Sequence, residues 1–152
     1  GLERKFMIVC PLLGAPMLFA LGWEGCPAWL FFPLLALTGL TLKTPESIAE
    51  AGIMLFETGV DRVFITLGED GVFYKDHDSE FFSRAIDTQV VNVTGAGDAF
   101  TAAMIYGFTQ NLNNKVLLDF CTAASTIALC DEQTIAADLS VKSVKTLLSH
   151  SF

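Results

Sequence analysis

Basic charge is scarce in this chain: nine lysines and arginines stand against seventeen aspartates and glutamates, a net charge of −8. No basic stripe is available to neutralise a phosphate backbone, which excludes nucleic acid as a partner. Histidine is nearly missing, with only His77 and His150. Four cysteines, Cys10, Cys26, Cys121 and Cys130, show no C-x-x-C spacing. Together these shortages exclude a zinc site. Cys121 and Cys130 fall in an apolar helical stretch and read as small core residues, suited to a reducing, cytoplasmic location. Charged residues of any sign make up only 17% against 52% apolar, so disorder is excluded and a core is within reach. A length of 152 residues accommodates one ordinary domain or a part of a larger one.

The scarcity of charge is concentrated at one end. Residues 1–40 hold only Glu3, Arg4, Lys5 and Glu24, which cancel, so the whole excess of −8 lies in residues 41–152. Phe6–Trp23 and Gly25–Leu42 are each uncharged over 18 residues. That length touches the lower limit of a membrane span, and Arg4-Lys5 ahead of an apolar run mimics a signal peptide. Pro11, Gly14, Pro16 and Gly22 interrupt the first stretch, and Pro27, Pro33 and Gly39 the second, which argues against spanning.

Beyond residue 40 strand and helix signals alternate. Thr44-Pro45-Glu46 is a helix start, with a hydroxyl cap, proline at the first helical position and an acid in the first turn. The spacing predicts a helix to about Glu57 that buries Ile48, Ala49, Ile53 and Phe56 and ends at Gly59. Arg62–Leu67 suits a buried parallel strand. Residues 71–75 and 80–84 flank Asp76-His77-Asp78-Ser79 and read as a hairpin, with His77 a solvated tip residue. Helices are expected at about 97–110, 115–129 and 140–149. The pattern predicts an α/β layered fold with ligands at the carboxyl ends of the strands.

Val91-Asn92-Val93-Thr94-Gly95-Ala96-Gly97-Asp98-Ala99-Phe100 carries the most chemistry. Glycines let backbone amides approach a ligand, and a helix behind them adds its unpaired N–H groups and positive dipole end. That combination is an anion site. A carboxylate there is unsuited to holding the anion and reads instead as a base beside it. The plainer alternative is a loop in which Asp98 caps a helix. Residues 86–91 give a strand-like approach, and Ala102 and Ala103 permit close packing on a sheet, the context that a phosphate site requires.

Val93–Phe100 resembles the second signature of the ribokinase-like (PfkB) sugar and nucleoside kinases. Thr66-Leu67-Gly68-Glu69-Asp70-Gly71 resembles that family's T-L-G-x-x-G turn, and Ala123–Leu129 with Asp138-Leu139-Ser140 is similar to its tail. The wording N-V-T-G-A-G-D-A looks most like pseudouridine kinases. The resemblance runs from about Ala36 to the C-terminus, so it implies two parts: an apolar leader, 1–35, and the C-terminal portion of a kinase domain, 36–152. It implies a three-layer fold with helices on a mainly parallel sheet.

In function it implies ATP-dependent phosphorylation of a sugar or nucleoside hydroxyl, with Mg2+ supplied alongside ATP, and pseudouridine as the nucleoside in a complete enzyme. Asp98 is then the base, and Gly95, Ala96 and Gly97 the anion hole. Thr66, Gly68 and Gly71 line the nucleotide, with Ala124, Ser125 and Ala128 as an adenine wall. Asn92 and Thr94 fall where members bind a monovalent cation. Many members have aspartate where this chain has Asn92, so K+ stays open. Upstream of Ala36-Leu37-Thr38-Gly39, residues 29–35 contain neither asparagine nor glutamate, so the family's N-x-x-E segment is missing. A ribokinase-, fructokinase- or adenosine kinase-type activity, a non-catalytic nucleotide-binding remnant, and a homo-oligomer are the alternatives left open.

Overall fold

The computed structural model describes residues 6–12, 15–21, 44–57 and 59–151. It divides into two compact units, Gly1–Arg84 and Ala85–Phe152. The boundary expected at residue 35 lies outside the described residues.

The first unit is a five-stranded sheet with one helix. Its strands are β1 (Phe6–Leu12), β2 (Ala15–Leu21), β3 (Arg62–Thr66), β4 (Val72–Asp76) and β5 (Glu80–Ser83), in the order β2-β1-β3-β4-β5. Of the pairs among these strands, β1 with β3 is parallel, in the register Phe6↔Arg62 to Val9↔Ile65. The pairs β1–β2, β3–β4 and β4–β5 are antiparallel. This corrects the expected mainly parallel sheet. Each antiparallel pair is joined by a few residues, and a connection that short reaches only an antiparallel neighbour. The pairing of β1 also places part of the 1–35 leader in the same sheet as the T-L-G strand.

Helix α1 (Pro45–Glu57) begins where Thr44 predicts. The Thr44 hydroxyl accepts from the Ser47 amide at 3.3 Å, and Ser47 Oγ accepts from the Thr44 amide at 3.2 Å, a reciprocal cap. The helix ends at Gly59, whose φ of +92° suits glycine alone. Its buried face differs from the expected one: Ile48, Ala51, Gly52 and Leu55 face inward, whereas Ile53 is exposed and Ala49 and Phe56 lie half-buried. The reason is Gly52. A Cβ there would stand 2.1 Å from the Phe73 ring, so the helix approaches β4 through its smallest residues. Ile48, Ala51 and Leu55 then pack with Val63, Ile65 and Phe73. Each fully buried side chain as large as Leu55 or Ile65 contributes roughly 1.5–3 kcal/mol.

The hairpin of β4 and β5 forms as predicted, latched at its tip by Asp76. One carboxylate oxygen accepts from the Asp78 and Ser79 amides at 2.9 and 2.6 Å, and the other from the Tyr74 hydroxyl at 2.6 Å. His77 is exposed at the tip, 3.8 Å from Asp61.

The second unit is helical: α2 (Ala96–Thr109), α3 (Asn114–Leu129) and α4 (Val141–Ser151). All three lie within a residue or two of their predicted spans. Asn113 caps α3 by accepting from the Val116 amide at 3.0 Å. Helices α2 and α3 meet closely because Gly107 leaves room for Leu117, whose Cδ1 would lie 2.3 Å from an added Cβ. Ala103 is buried within this unit, while Ala102 is exposed. Cys121 is fully buried, and burial pushes its thiol well above the ordinary range. Cys130, expected in the core, is exposed because α3 ends at Leu129 and Cys130 is its cap. No helix among the described residues is long and apolar enough to cross a membrane.

Candidate phosphate-binding site

Residues 86–91 pair with no strand among the described residues, which corrects the strand expected there. Val90 and Val91 are exposed by 52% and 53%, and their branched side chains are not enough to recruit a ladder partner. The amides of Val91 and Asn92 donate instead to the Leu129 carbonyl, at 2.8 and 3.2 Å. The last turn of α3 therefore gains partners for an orphan carbonyl, and the segment before the glycines is tied to that helix end.

Gly95 is the N-cap of α2, with φ +91° and ψ −13°. Two facts require glycine here. The dihedrals are left-handed, and an added Cβ would stand 2.0 Å from the Thr134 carbonyl oxygen. The first backbone bond of the helix runs from the Ala99 amide to the Gly95 carbonyl at 2.9 Å. The amides of Ala96, Gly97 and Asp98 accordingly have no intrahelical acceptor. Glycine at 97 leaves one of these amides uncovered by a side chain.

Asp98 is exposed in the first turn of α2, and no side chain of this helix end makes a capping bond. Among the described residues no hydrogen bond restrains its carboxylate, so the plain capping alternative is not what the geometry displays. An acid in the first turn favours the helix dipole by roughly 0.3–1 kcal/mol. That is a small structural role for a group beside three open amides.

Ser125 belongs to this neighbourhood: its hydroxyl donates to the Ala96 carbonyl at 3.0 Å. Ala124 and Ala128 are 1% and 2% exposed. Ala128 packs with Ala99 and Ala136, so the small residues of α3 let α2 and the following loop approach closely. Asn92 uses both ends of its amide. Its oxygen accepts from the Thr94 amide at 2.9 Å, and its nitrogen donates to the Glu132 carbonyl at 3.1 Å.

Thr66, Gly68 and Gly71 lie in the first unit, at the turn from β3 to β4. A short 3₁₀ segment, Gly68–Asp70, fills the turn, and both glycines adopt positive φ, +64° and +102°. Leu67 donates to the Gly71 carbonyl at 2.8 Å and Gly71 to the Gly68 carbonyl at 3.2 Å. Gly68 is exposed and its α-carbon faces open space.

Residues 131–137 carry no signal in the motifs, yet they supply Glu132 and Thr134 to the glycine turn. The cue available in the sequence is Asp131-Glu132-Gln133, where an aspartate can close a turn on an amide two residues on. The same loop borders a cleft of about 480 Å³ lined by Thr88, Thr126, Cys130, Asp131, Asp138 and Leu147 among others. That cleft does not include Gly95–Asp98. No group of three or more histidine, cysteine, aspartate or glutamate side chains able to hold a metal occurs among the described residues.

Comparison with known proteins agrees with the motifs. Residues 32–141 match the family model described as pfkB family carbohydrate kinase. The chain is 33% identical to pseudouridine kinase of Escherichia coli K12 over 116 residues, which are 76% of this chain and 37% of that enzyme. It is 32% identical to a ribokinase of Arabidopsis thaliana over 117 residues, 76% of this chain and 31% of that one. Among solved structures, a protein described as a sugar kinase from Clostridium perfringens superposes with a TM-score of 0.75 at 30% identity, covering 78% of this chain and 38% of that one. The Arabidopsis ribokinase, solved with ribose and ATP, gives 0.70 at 32% identity, covering 76% and 38%. The chain spans less than two-fifths of the length of these relatives. The matched family model, the matched folds and the glycine turn opening α2 agree on one assignment: this chain belongs to the pfkB family of carbohydrate kinases.

Proposed function

We propose that this chain carries the phosphate-handling portion of a kinase that transfers the γ-phosphoryl group of ATP to a sugar or nucleoside hydroxyl, with pseudouridine as the nucleoside. The observation that carries the reading is the opening of α2: Gly95 in the left-handed region, three amides without helical acceptors, and the unrestrained Asp98 carboxylate beside them. Phosphoryl transfer asks for positioning and charge stabilisation rather than covalent work by the protein. The amides of Ala96, Gly97 and Asp98 are placed to hold the charge that develops on the transferring group. Asp98 accepts the proton of the attacking hydroxyl, leaving its oxygen free to bond phosphorus. Thr66, Gly68 and Gly71 are the nucleotide-lining candidates that the family resemblance offers in the first unit, and within the second Ser125 steadies the turn through Ala96.

Mg2+ enters this reading as the counter-ion that accompanies ATP and is held by its phosphates, while the N-x-x-E segment is missing from residues 29–35. Asn92 and Thr94 remain the candidates for a K+ contact, although the Asn92 amide is already engaged on both sides. A second reading, a nucleotide-binding partner without turnover, is favoured by the same missing segment.

Two measurements decide between them. The 152-residue chain, incubated with MgATP and ribose, fructose, adenosine or pseudouridine, is expected to give no product above background; turnover at about 1–100 per second would overturn the dependence on the missing segment. Residues 36–152 grafted onto the N-terminal portion of the Escherichia coli pseudouridine kinase restore that segment. In this graft Asp98→Asn is expected to slow turnover by roughly 10²–10⁴-fold with ATP affinity kept. A variant retaining half the parent rate would remove Asp98 from the role of base.

A further inference from the structure

Amides stabilise a developing charge only if they are held still before it arrives. The turn at Gly95 has little of its own to hold it. Helix α2 restrains one side only, and residues 86–94 belong to no strand or helix. What fixes it comes from the end of α3 and the loop after it.

Asn92 sits at the centre of these links. Its backbone amide donates to Leu129, its side-chain oxygen receives the Thr94 amide, and its side-chain nitrogen reaches the Glu132 carbonyl. Two residues further along the loop, the Thr134 carbonyl occupies the space a Cβ on Gly95 would need. The loop has no regular structure, but Asp131 closes it on itself. One carboxylate oxygen accepts from the Gln133 amide at 2.8 Å, and the other from the Ala137 amide at 3.1 Å. A single side chain thus sets both ends of the stretch that presents Glu132 and Thr134.

We propose that Asn92 is a positioning residue that clasps the phosphate turn to the 131–139 loop, and that Asp131 keeps the loop in the shape the clasp needs; the proposal rests on reading Gly95–Asp98 as a phosphate site. In this chain the amide at 92 serves both links at once, donating to the Glu132 carbonyl while accepting from the Thr94 N–H. A carboxylate would keep the Thr94 bond and set two oxygens against each other at Glu132.

The test uses the whole 152-residue chain, labelled with ¹⁵N, with MgATP as the probe. Asn92→Asp removes the donor to Glu132 and keeps the acceptor for Thr94. It is expected to speed hydrogen exchange of the Ala99 amide, which bonds Gly95, at least tenfold. The dissociation constant for MgATP, read from the shifts of the Ala96, Gly97 and Asp98 amides, is expected to rise at least tenfold. Asp131→Ala, which leaves Asn92 intact, is expected to move both readouts the same way. The Val144 amide of α4 is the control. Faster exchange spreading to Val144 marks a merely structural residue and overturns the proposal, as does unchanged exchange at Ala99 in both variants. Faster exchange with unchanged MgATP affinity overturns it too. A parent chain whose three amides ignore MgATP sinks the phosphate reading instead, and exchange at Ala99 then decides the clasp alone.

Discussion

The chain has two glycine turns, and their backbones do different things. At Gly68–Gly71 the turn closes on itself, with Leu67 donating to Gly71 and Gly71 to Gly68. At Gly95–Asp98 the turn opens a helix, leaving three amides with no partner in that helix. The first turn commits the Leu67, Asp70 and Gly71 amides to bonds within itself, and the second leaves the Ala96, Gly97 and Asp98 amides without helical acceptors. Glycine at positive φ is common to both, so glycine content alone does not fix which amides a turn leaves open. The next element in the chain tells them apart: a strand after Gly71 and a helix after Gly95.

The comparison sharpens most at Gly95. Alanine at this position must hold a left-handed conformation, at about 1–2 kcal/mol, and its Cβ meets the Thr134 carbonyl 2.0 Å away. Crowding of a packed site adds typically 1–3 kcal/mol. Gly95→Ala is therefore expected to destabilise the second unit by roughly 2–5 kcal/mol, measured by urea denaturation with a probe in α3, and to abolish any MgATP response at Gly97. A stable Gly95→Ala chain with a normal response would show that Thr134 does not crowd the turn.

A smaller effect belongs to the first unit, where Tyr74 and Asp76 hold the hairpin. Burial, and then the hydrogen bond to Asp76, push the Tyr74 hydroxyl well above its ordinary value near 10. The fold therefore keeps the phenol protonated where the unfolded chain would ionise it. Stability from this group is fully present below about pH 10 and is lost as pH rises beyond it. Tyr74→Phe removes a bond to a carboxylate, a loss of about 1.5–3 kcal/mol near neutral pH. It should also flatten the alkaline limb of a plot of urea midpoint against pH. An unchanged alkaline limb would mean that some other group controls it.

The legibility of each feature in the sequence depends on how local its signal is. Helix starts and ends depend on residues a few positions apart, so Thr44, Pro45, Gly59 and the three later helices can be placed from the sequence to within a residue or two. The hairpin and the glycine turn are local in the same sense. The buried face of α1 is not legible, because it is set by Gly52 against Phe73, a partner 21 residues away that no helical period reveals. Residues 86–91 have strand-like composition, but whether a ladder forms depends on a neighbour, and here the amides find Leu129. The motif picks out the Gly95–Asp98 turn and says nothing of its support, since Asp131, Glu132 and Thr134 reach it only through the fold. Likewise the bond of Ser125 to Ala96, a contact across 29 positions, is not legible in the sequence.

The smallest predicted effect is the counterpart of the first, and it tests whether the two turns truly differ. Gly68 has φ +64°, inside the left-handed region that L-residues adopt at modest cost, and nothing lies within 4 Å of where its Cβ would be. Gly68→Ala should therefore cost only the conformational penalty, about 1–2 kcal/mol, less whatever the unfolded chain loses in freedom, about 0.4–1 kcal/mol. A net loss below about 1.5 kcal/mol is expected, with the Leu67–Gly71 bond intact by amide exchange. The difference between Gly95→Ala and Gly68→Ala isolates the crowding by Thr134, because both variants share the left-handed penalty. Equal losses at the two positions would mean that backbone strain alone governs both turns, and that the loop does not press on the Gly95 turn at all.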